Sequence, residues 1–249
     1  MITDQVYAVP CVYDRAAGKN TKQPLRAAVP GSKSITNRAL LLATLARGTS
    51  TLRGVLFSDD SRHFLNCIQE LGFETQVAEE EKIVRVTGLG GALPRPEASI
   101  YVGSAGTAAR FLTAYLGVSR GIYHLDASPQ MRRRPMAPLL ASLEDLGCEI
   151  SCQGEEGHFP FTLRGRGFGK TDISVEIEHS SQFLSALLIS SCLCPEDMNI
   201  RIQGEHGLSY IRITTRMMEQ FGVSAQPWYY CEGNGENHAC QGCVNSTRP

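Results

Sequence analysis

The chain has 249 residues, 42% of them hydrophobic, with 24 Lys and Arg against 25 Asp and Glu. A net charge of −1 and a pI near 6.6 argue against a dedicated nucleic-acid binder, whose domains carry a basic excess. No apolar run approaches the roughly 18 residues that span a bilayer, so neither nucleic acid nor membrane is expected as a partner. The opening residues carry neither a basic leader nor an Arg- and Ser-rich transit character, and a soluble, cytoplasmic protein is expected. Nine scattered cysteines, an odd number, read as thiols rather than a disulfide framework. Six of them (Cys11, Cys67, Cys148, Cys152, Cys192, Cys194) lie in or beside apolar segments as small hydrophobes. The tail cluster Cys231, His238, Cys240 and Cys243 holds one C-x-x-C without a second close pair, so no metal is expected.

In chain order, a helix that is apolar nearly all round begins near Ser34, followed by a strand at Thr51–Val55. Asp59, Asp60 and Ser61 read as the cap of a helix over Arg62–Leu71 that ends at Gly72. Strands follow at Ile83–Thr87 and Ser99–Val102. A second all-apolar helix starts at Ala105, then a strand at Ile122–Leu125 and a helix ending at Gly147. Strands at Phe161–Leu163 and Ile173–Ile177 precede a third all-apolar helix from Ser180, a strand at Asn199–Ile202 and a helix ending at Gly222. Gly72, Gly147 and Gly222 stand 75 residues apart, each after an apolar helical run. The chain is therefore a repeat of strand, buried helix, strand, second helix and hairpin. An α/β class follows, and three equal units suggest a pseudo-threefold domain with its helices inside.

The chemistry concentrates at the starts of the buried helices. Gly31, Ser32, Lys33, Ser34 and Arg38 combine a turn, free N–H groups and two cations, which makes an anion site. Gly103 to Arg110 supplies small residues for close backbone approach, with the hydroxyl of Thr107. Ser180, Ser181 and Gln182 put two hydroxyls and an amide on the third start. Each start alone is also an ordinary capped helix; the repeat is what can bring them to one end. A Walker A reading of Lys33-Ser34 fails because Ser32 stands where that motif needs glycine. Met131 to Pro135 carries Arg132, Arg133 and Arg134, which fit either a solvated basic loop or bidentate anion recognition.

Pro30–Leu42, Ser58–Asp60, Gly103–Arg110, Met131–Pro135 and Ser180–Leu187 together resemble the enolpyruvyl transferases, within them the branch that acts on shikimate 3-phosphate. The resemblance runs from about Leu25 to Val223. It implies an inside-out α/β domain of three βαβαββ units with buried helices, the first of two such domains. It divides the chain into an N-terminal extension over residues 1–24, expected to be disordered, the three-repeat domain over 25–225, and an atypical tail over 226–249. The implied reaction moves an enolpyruvyl group from phosphoenolpyruvate to the 5-hydroxyl of shikimate 3-phosphate by addition and elimination, without metal or organic cofactor.

Residue by residue, Lys33 matches a catalytic lysine touching both substrates. Ser34, Arg38, Ser180, Ser181 and Tyr210 match ligands of shikimate 3-phosphate. Gly106 and Arg134 match the phosphoenolpyruvate side, and Gln182 reaches both. Three positions depart from the family: Ser104 for the usual Asn, Phe111 for Pro, and Gly207 for a substrate-binding Ser. The resemblance also implies that an acidic base and further cations come from a second, C-terminal domain, a partner in cis or trans. The chain alone is accordingly expected to be inactive. A non-catalytic module for a phosphorylated metabolite is the competing reading. A relative acting on UDP-N-acetylglucosamine is a weaker one, since that branch prefers Lys-Asn at 33–34 and a loop cysteine that this chain lacks.

Overall fold

The computed structural model describes residues 31–204, 206–223 and 240–244, with backbone alone at Leu208 and Cys240–Val244. The extension over residues 1–24, Cys11, Cys231 and His238 lie outside the described residues.

Three sheets surround three buried helices. The first unit contains α1 (Lys33–Leu45), β1 (Arg47–Arg53), α2 (Asp59–Glu70), β2 (Thr75–Ala78) and β3 (Ile83–Leu89). The second contains β4 (Glu97–Tyr101), α3 (Gly106–Val118), β5 (Arg120–Asp126), a short α4 (Pro129–Arg132), α5 (Ala137–Asp145), β6 (Glu149–Cys152) and β7 (Phe161–Arg166). The third contains β8 (Asp172–Glu176), α6 (Gln182–Ser191), β9 (Met198–Gln203), α7 (Leu208–Gln220) and β10 (Cys240–Val244).

The sheets repeat one topology. β4 lies parallel to β5, and β8 parallel to β9, each pair bridged by a buried helix. On the other side β1, β5 and β9 each take an antiparallel neighbour: β3, β7 and β10. Every residue of α3 is buried, because Gly, Ala and Thr on its surface let α1, α2, α5 and α6 approach from different sides. Parallel crossovers run through α3 and α6, and the side chains of Asn37 and Arg38 meet Thr107 and Ser185, so the starts of all three buried helices gather at one pole. Gly72, Gly147 and Gly222 close α2, α5 and α7 at φ of 93°, 98° and 81°, the left-handed stop expected from the repeat.

Some details differ from the sequence expectation. The cap of α2 is Ser58, not the Asp59–Ser61 triplet: Ser58 and Ser61 form a reciprocal capping box, and Asp59 and Asp60 occupy the first helical turn. The helix ending at Gly222 is longer than its apolar end, since α7 starts at Leu208. From the sequence no strand is expected after Ala225, yet Cys240–Val244 pairs with β9 as β10. That segment hides no alternation to read, because its place is set by its partner strand. The five cysteines with described side chains (Cys67, Cys148, Cys152, Cys192, Cys194) are free thiols; Cys67 and Cys192 are pushed up to about 12 by burial.

Candidate functional site

Side chains tie the start of α1 to α3 and to α6, and the start of α3 faces that of α6. Asn37 of α1 donates from Nδ2 to Thr107 Oγ1 of α3 at 2.5 Å. Arg38 of α1 donates from Nη2 to Ser185 Oγ of α6 at 3.0 Å. Gly106 of α3 faces α6: a Cβ there would stand 3.6 Å from Gln182 Oε1, 3.3 Å from Arg134 Nη1 and 3.0 Å from Arg110 Nη1. Glycine at 106 thus leaves open the point where two guanidiniums and an amide converge.

The starts themselves are open. Ser32, Ala105 and Ser181 precede α1, α3 and α6 without a side-chain cap bond. Of the first-turn donors, Gln182 N–H is met by Ser180 Oγ at 3.2 Å. Unpaired N–H groups at a helix start carry partial positive charge and select anions.

Arg38 is the most unusual group. It is 1% exposed and among the described residues has no carboxylate within ion-pair distance. Nε donates to Thr214 Oγ1 at 2.7 Å, Nη2 to Ser185, and Nη1 to the Ser34 carbonyl at 3.0 Å. Its guanidinium carbon lies 5.2 Å from the centre of the Phe111 ring and 6.0 Å from that of Tyr210. Burial lowers its pKa to about 10, partly offset by Tyr210. Arg110 is its counterpart on α3. It is 6% exposed and folds back onto the Gly106 carbonyl at 3.2 Å, as Arg38 does onto that of Ser34. Among the described residues its Nε has no partner, and burial, with help from nearby Arg134, lowers its pKa to about 10. Two buried cations met only by neutral groups among the described residues leave a charge for a ligand to complete.

The expected residues fall into place as follows. Ser181 is buried, while Ser180 and Gln182 are half-buried beside it. Tyr210 is 47% exposed at the mouth, over Arg38. Lys33 reaches sideways, its ammonium 3.3 Å from Asp60 Oδ2 at the start of α2. The arginine run divides. Arg132 makes a two-point ion pair with Asp126 and is structural, Arg133 is solvated, and Arg134 turns toward Gly106. Gly207 has φ +70°, and a Cβ there would fall 2.5 Å from Ser181 Oγ, so a serine at 207 would collide with Ser181 in this backbone. Phe111 is fully buried and supplies the floor under Arg38. Ser104 bonds Ser128 across 2.7 Å.

Arg110, Asn37, Ser185 and Thr214 are absent from the sequence expectation. Arg110 was readable: superposing the repeats puts it four residues after Gly106, as Arg38 stands four after Ser34. Among the described residues three other hollows lie off this cluster, the smallest, about 310 Å³, beside Ala137, Ile150 and Gly157. Another, about 360 Å³, sits beside the cluster between Asp60, His63 and Ser104. The largest, about 610 Å³, opens at the opposite pole beside Ser119 and Leu193, where helices present carbonyls that repel anions.

The sequence model of the EPSP synthase (3-phosphoshikimate 1-carboxyvinyltransferase) family matches residues 19–245. The chain belongs to the EPSP synthase family. It is 42% identical over 196 residues to the 3-phosphoshikimate 1-carboxyvinyltransferase of Trichormus variabilis, covering 78% of this chain and 46% of that protein. The corresponding Shewanella sp. strain MR-7 protein is 43% identical over 197 residues, with the same two coverages of 78% and 46%. This family member thus spans about half the length of the curated relatives it matches. Its fold is that of the EPSP synthase of Acinetobacter baumannii, with a TM-score of 0.72 at 23% identity over 88% of this chain and 46% of that one. Among the described residues no helix is long and apolar enough to cross a membrane.

Proposed function

We propose that this chain is the N-terminal, substrate-binding half of a 3-phosphoshikimate 1-carboxyvinyltransferase of aromatic amino-acid biosynthesis. Its substrates are shikimate 3-phosphate and phosphoenolpyruvate, and its partner is the C-terminal domain that the relatives' remaining length represents. The observation that carries this reading is the Arg38 guanidinium, buried at the junction of three open helix starts with no carboxylate beside it among the described residues. A phosphate monoester is the anion suited to that place: it accepts several N–H and O–H bonds at once and balances the buried charge. Arg38, Ser34, Ser180, Ser181 and Tyr210 hold shikimate 3-phosphate. Gly106, Arg110 and Arg134 hold phosphoenolpyruvate. Lys33 and Gln182 stand between them.

Both substrates repel one another in water, and the reaction joins them. The chain's contribution is to hold two anions in contact distance against that repulsion, with fixed donors that need no reorganisation. Lys33 is the group assigned to stabilise charge on the attacking hydroxyl, a role for which its ammonium turns from Asp60 Oδ2, 3.3 Å away in the ligand-free chain. Unpaired thiols at the five cysteines with described side chains support a reducing compartment, and the cytoplasm is the proposed one.

A thermal-shift titration tests the reading. Shikimate 3-phosphate should raise the melting temperature with concentration, inorganic phosphate and shikimate far less. The double variant Ser180→Ala/Ser181→Ala should lose most of that rise. No shift in a cooperatively melting wild-type sample would contradict the substrate assignment. Turnover is a separate matter: the chain alone is expected to show no enolpyruvyl transfer, and measurable product from it would refute the need for a second half.

A further inference from the structure

We propose that Thr214, seconded by Ser185, is a positioning residue that fixes the Arg38 guanidinium for the phosphorylated substrate. The proposal rests on the assignment of shikimate 3-phosphate to this site. Thr214 and Ser185 are both fully buried, so neither touches a ligand at the mouth. They act through Arg38.

A guanidinium has five N–H donors in one plane. Three are used within the protein: Nε by Thr214 at 2.7 Å, Nη2 by Ser185 at 3.0 Å, and Nη1 by the Ser34 carbonyl at 3.0 Å. Three fixed acceptors on α1, α6 and α7 define the plane completely, and two N–H groups remain for a ligand. The chemistry of the acceptors matters as much as their places. A carboxylate would fix the plane equally well but would neutralise the charge before substrate arrived. Hydroxyls and a carbonyl orient the group and leave its charge unspent.

Thr214 is itself held. Its Oγ1 lies 2.9 Å from the Tyr210 carbonyl and 3.0 Å from Ser185 Oγ, either of which takes its single proton. Its lone pair therefore faces Arg38 Nε. The Tyr210 contact also joins Arg38 to the helical turn that presents the Tyr210 ring at the mouth. One hydroxyl thus sets the relation between α1 and α7. Phe111 closes one face of the guanidinium, so rotation about the remaining bonds is restrained from below as well.

The test uses the whole chain with Thr214→Val, Thr214→Ser and Ser185→Ala. Valine keeps the shape and removes the acceptor, leaving Nε–H unpaired; serine restores the oxygen. Affinity for shikimate 3-phosphate is read by calorimetry, and the Arg38 Nε–H resonance by NMR in ligand-free protein. Thr214→Val is expected to bind about tenfold more weakly or worse and to shift or broaden the Nε–H signal. Thr214→Ser should stay within a few-fold of wild type, and Ser185→Ala should fall between, which gives a second reading if the valine variant misfolds. Valine binding like wild type with an unmoved Nε–H signal would overturn the proposal. A wild-type chain that does not bind overturns the substrate assignment instead. The Nε–H signal then decides the positioning role alone, and an unmoved signal in Thr214→Val refutes it.

Discussion

Arg38→Met is expected to weaken binding of shikimate 3-phosphate by about a hundredfold or more while leaving the chain folded and no less stable. The two halves of this result come from the same fact. The guanidinium is desolvated and unpaired with any carboxylate among the described residues, so its charge opposes folding and favours an anion. The sign follows from its pKa. A cation whose pKa falls from 12.5 to about 10 on folding binds fewer protons folded than unfolded between those limits. Stability therefore rises with pH through that window, and the cost of the charge is fully present below it. Methionine removes the charge, fills a similar length and rests its sulfur on Phe111. The groups left behind keep partners, since Thr214 still bonds Ser185 and the Tyr210 carbonyl. Replacing a buried charge by an apolar side chain is neutral or stabilising in such surroundings. Calorimetry and a thermal melt on the same sample check both halves. Binding within a few-fold of wild type, or a melting point lowered by many degrees, would show that Arg38 serves the core rather than a ligand.

Gly165→Ala is expected to destabilise the fold by about 3 kcal/mol. A Cβ at 165 would stand 1.9 Å from the Ser119 carbonyl oxygen, 2.7 Å from that of Leu116 and 3.0 Å from that of Gly117. All three are backbone at the end of α3, so no rotamer change relieves the clash, and β7 must separate from the helix. The first unit repeats the device. Gly88 of β3 would carry its Cβ 2.2 Å and 2.3 Å from the carbonyls of Ala43 and Ala46 at the end of α1. Each of these glycines also pairs with another, Gly88 with Gly48 and Gly165 with Gly121. Glycine is what lets the outer sheet touch the end of the inner helix in both units. Gly154→Ala, where a Cβ meets nothing within 4 Å, is the control and should change stability little. Equilibrium denaturation measures both; a Gly165→Ala chain within about 1 kcal/mol of wild type would contradict the close-packed account.

The repeat was legible because it writes the same signal three times. Gly72, Gly147 and Gly222 mark the left-handed ends of α2, α5 and α7, and the buried helices are apolar on every face. The candidate anion-binding materials were legible too, since Lys33, Ser34, Gly106, Ser180 and Ser181 sit beside helix starts that the repeat can bring together. What escaped were residues whose roles depend on contact between units. Thr214 sits one turn beyond Tyr210 on an amphipathic helix and reads as an unremarked polar position until α7 is laid against Arg38, 176 residues away in the chain. Ser58 and Asp59 both make plausible caps, and only backbone geometry separates them. Arg132 and Arg134 are indistinguishable by type. Asp126, six residues before Arg132, decides which one is tied down.

The gathered starts of α1, α3 and α6 are the proposed binding pole. A 1H–15N NMR titration of the chain with shikimate 3-phosphate tests it most directly. Shifts are expected to concentrate at Ser34 to Arg38, Ser180 to Ser185 and Tyr210 to Thr214, with the Arg38 side chain among the largest and the opposite pole around Ser119 and Leu193 unmoved. Shifts centred on that opposite pole, or spread evenly over the surface, would contradict it.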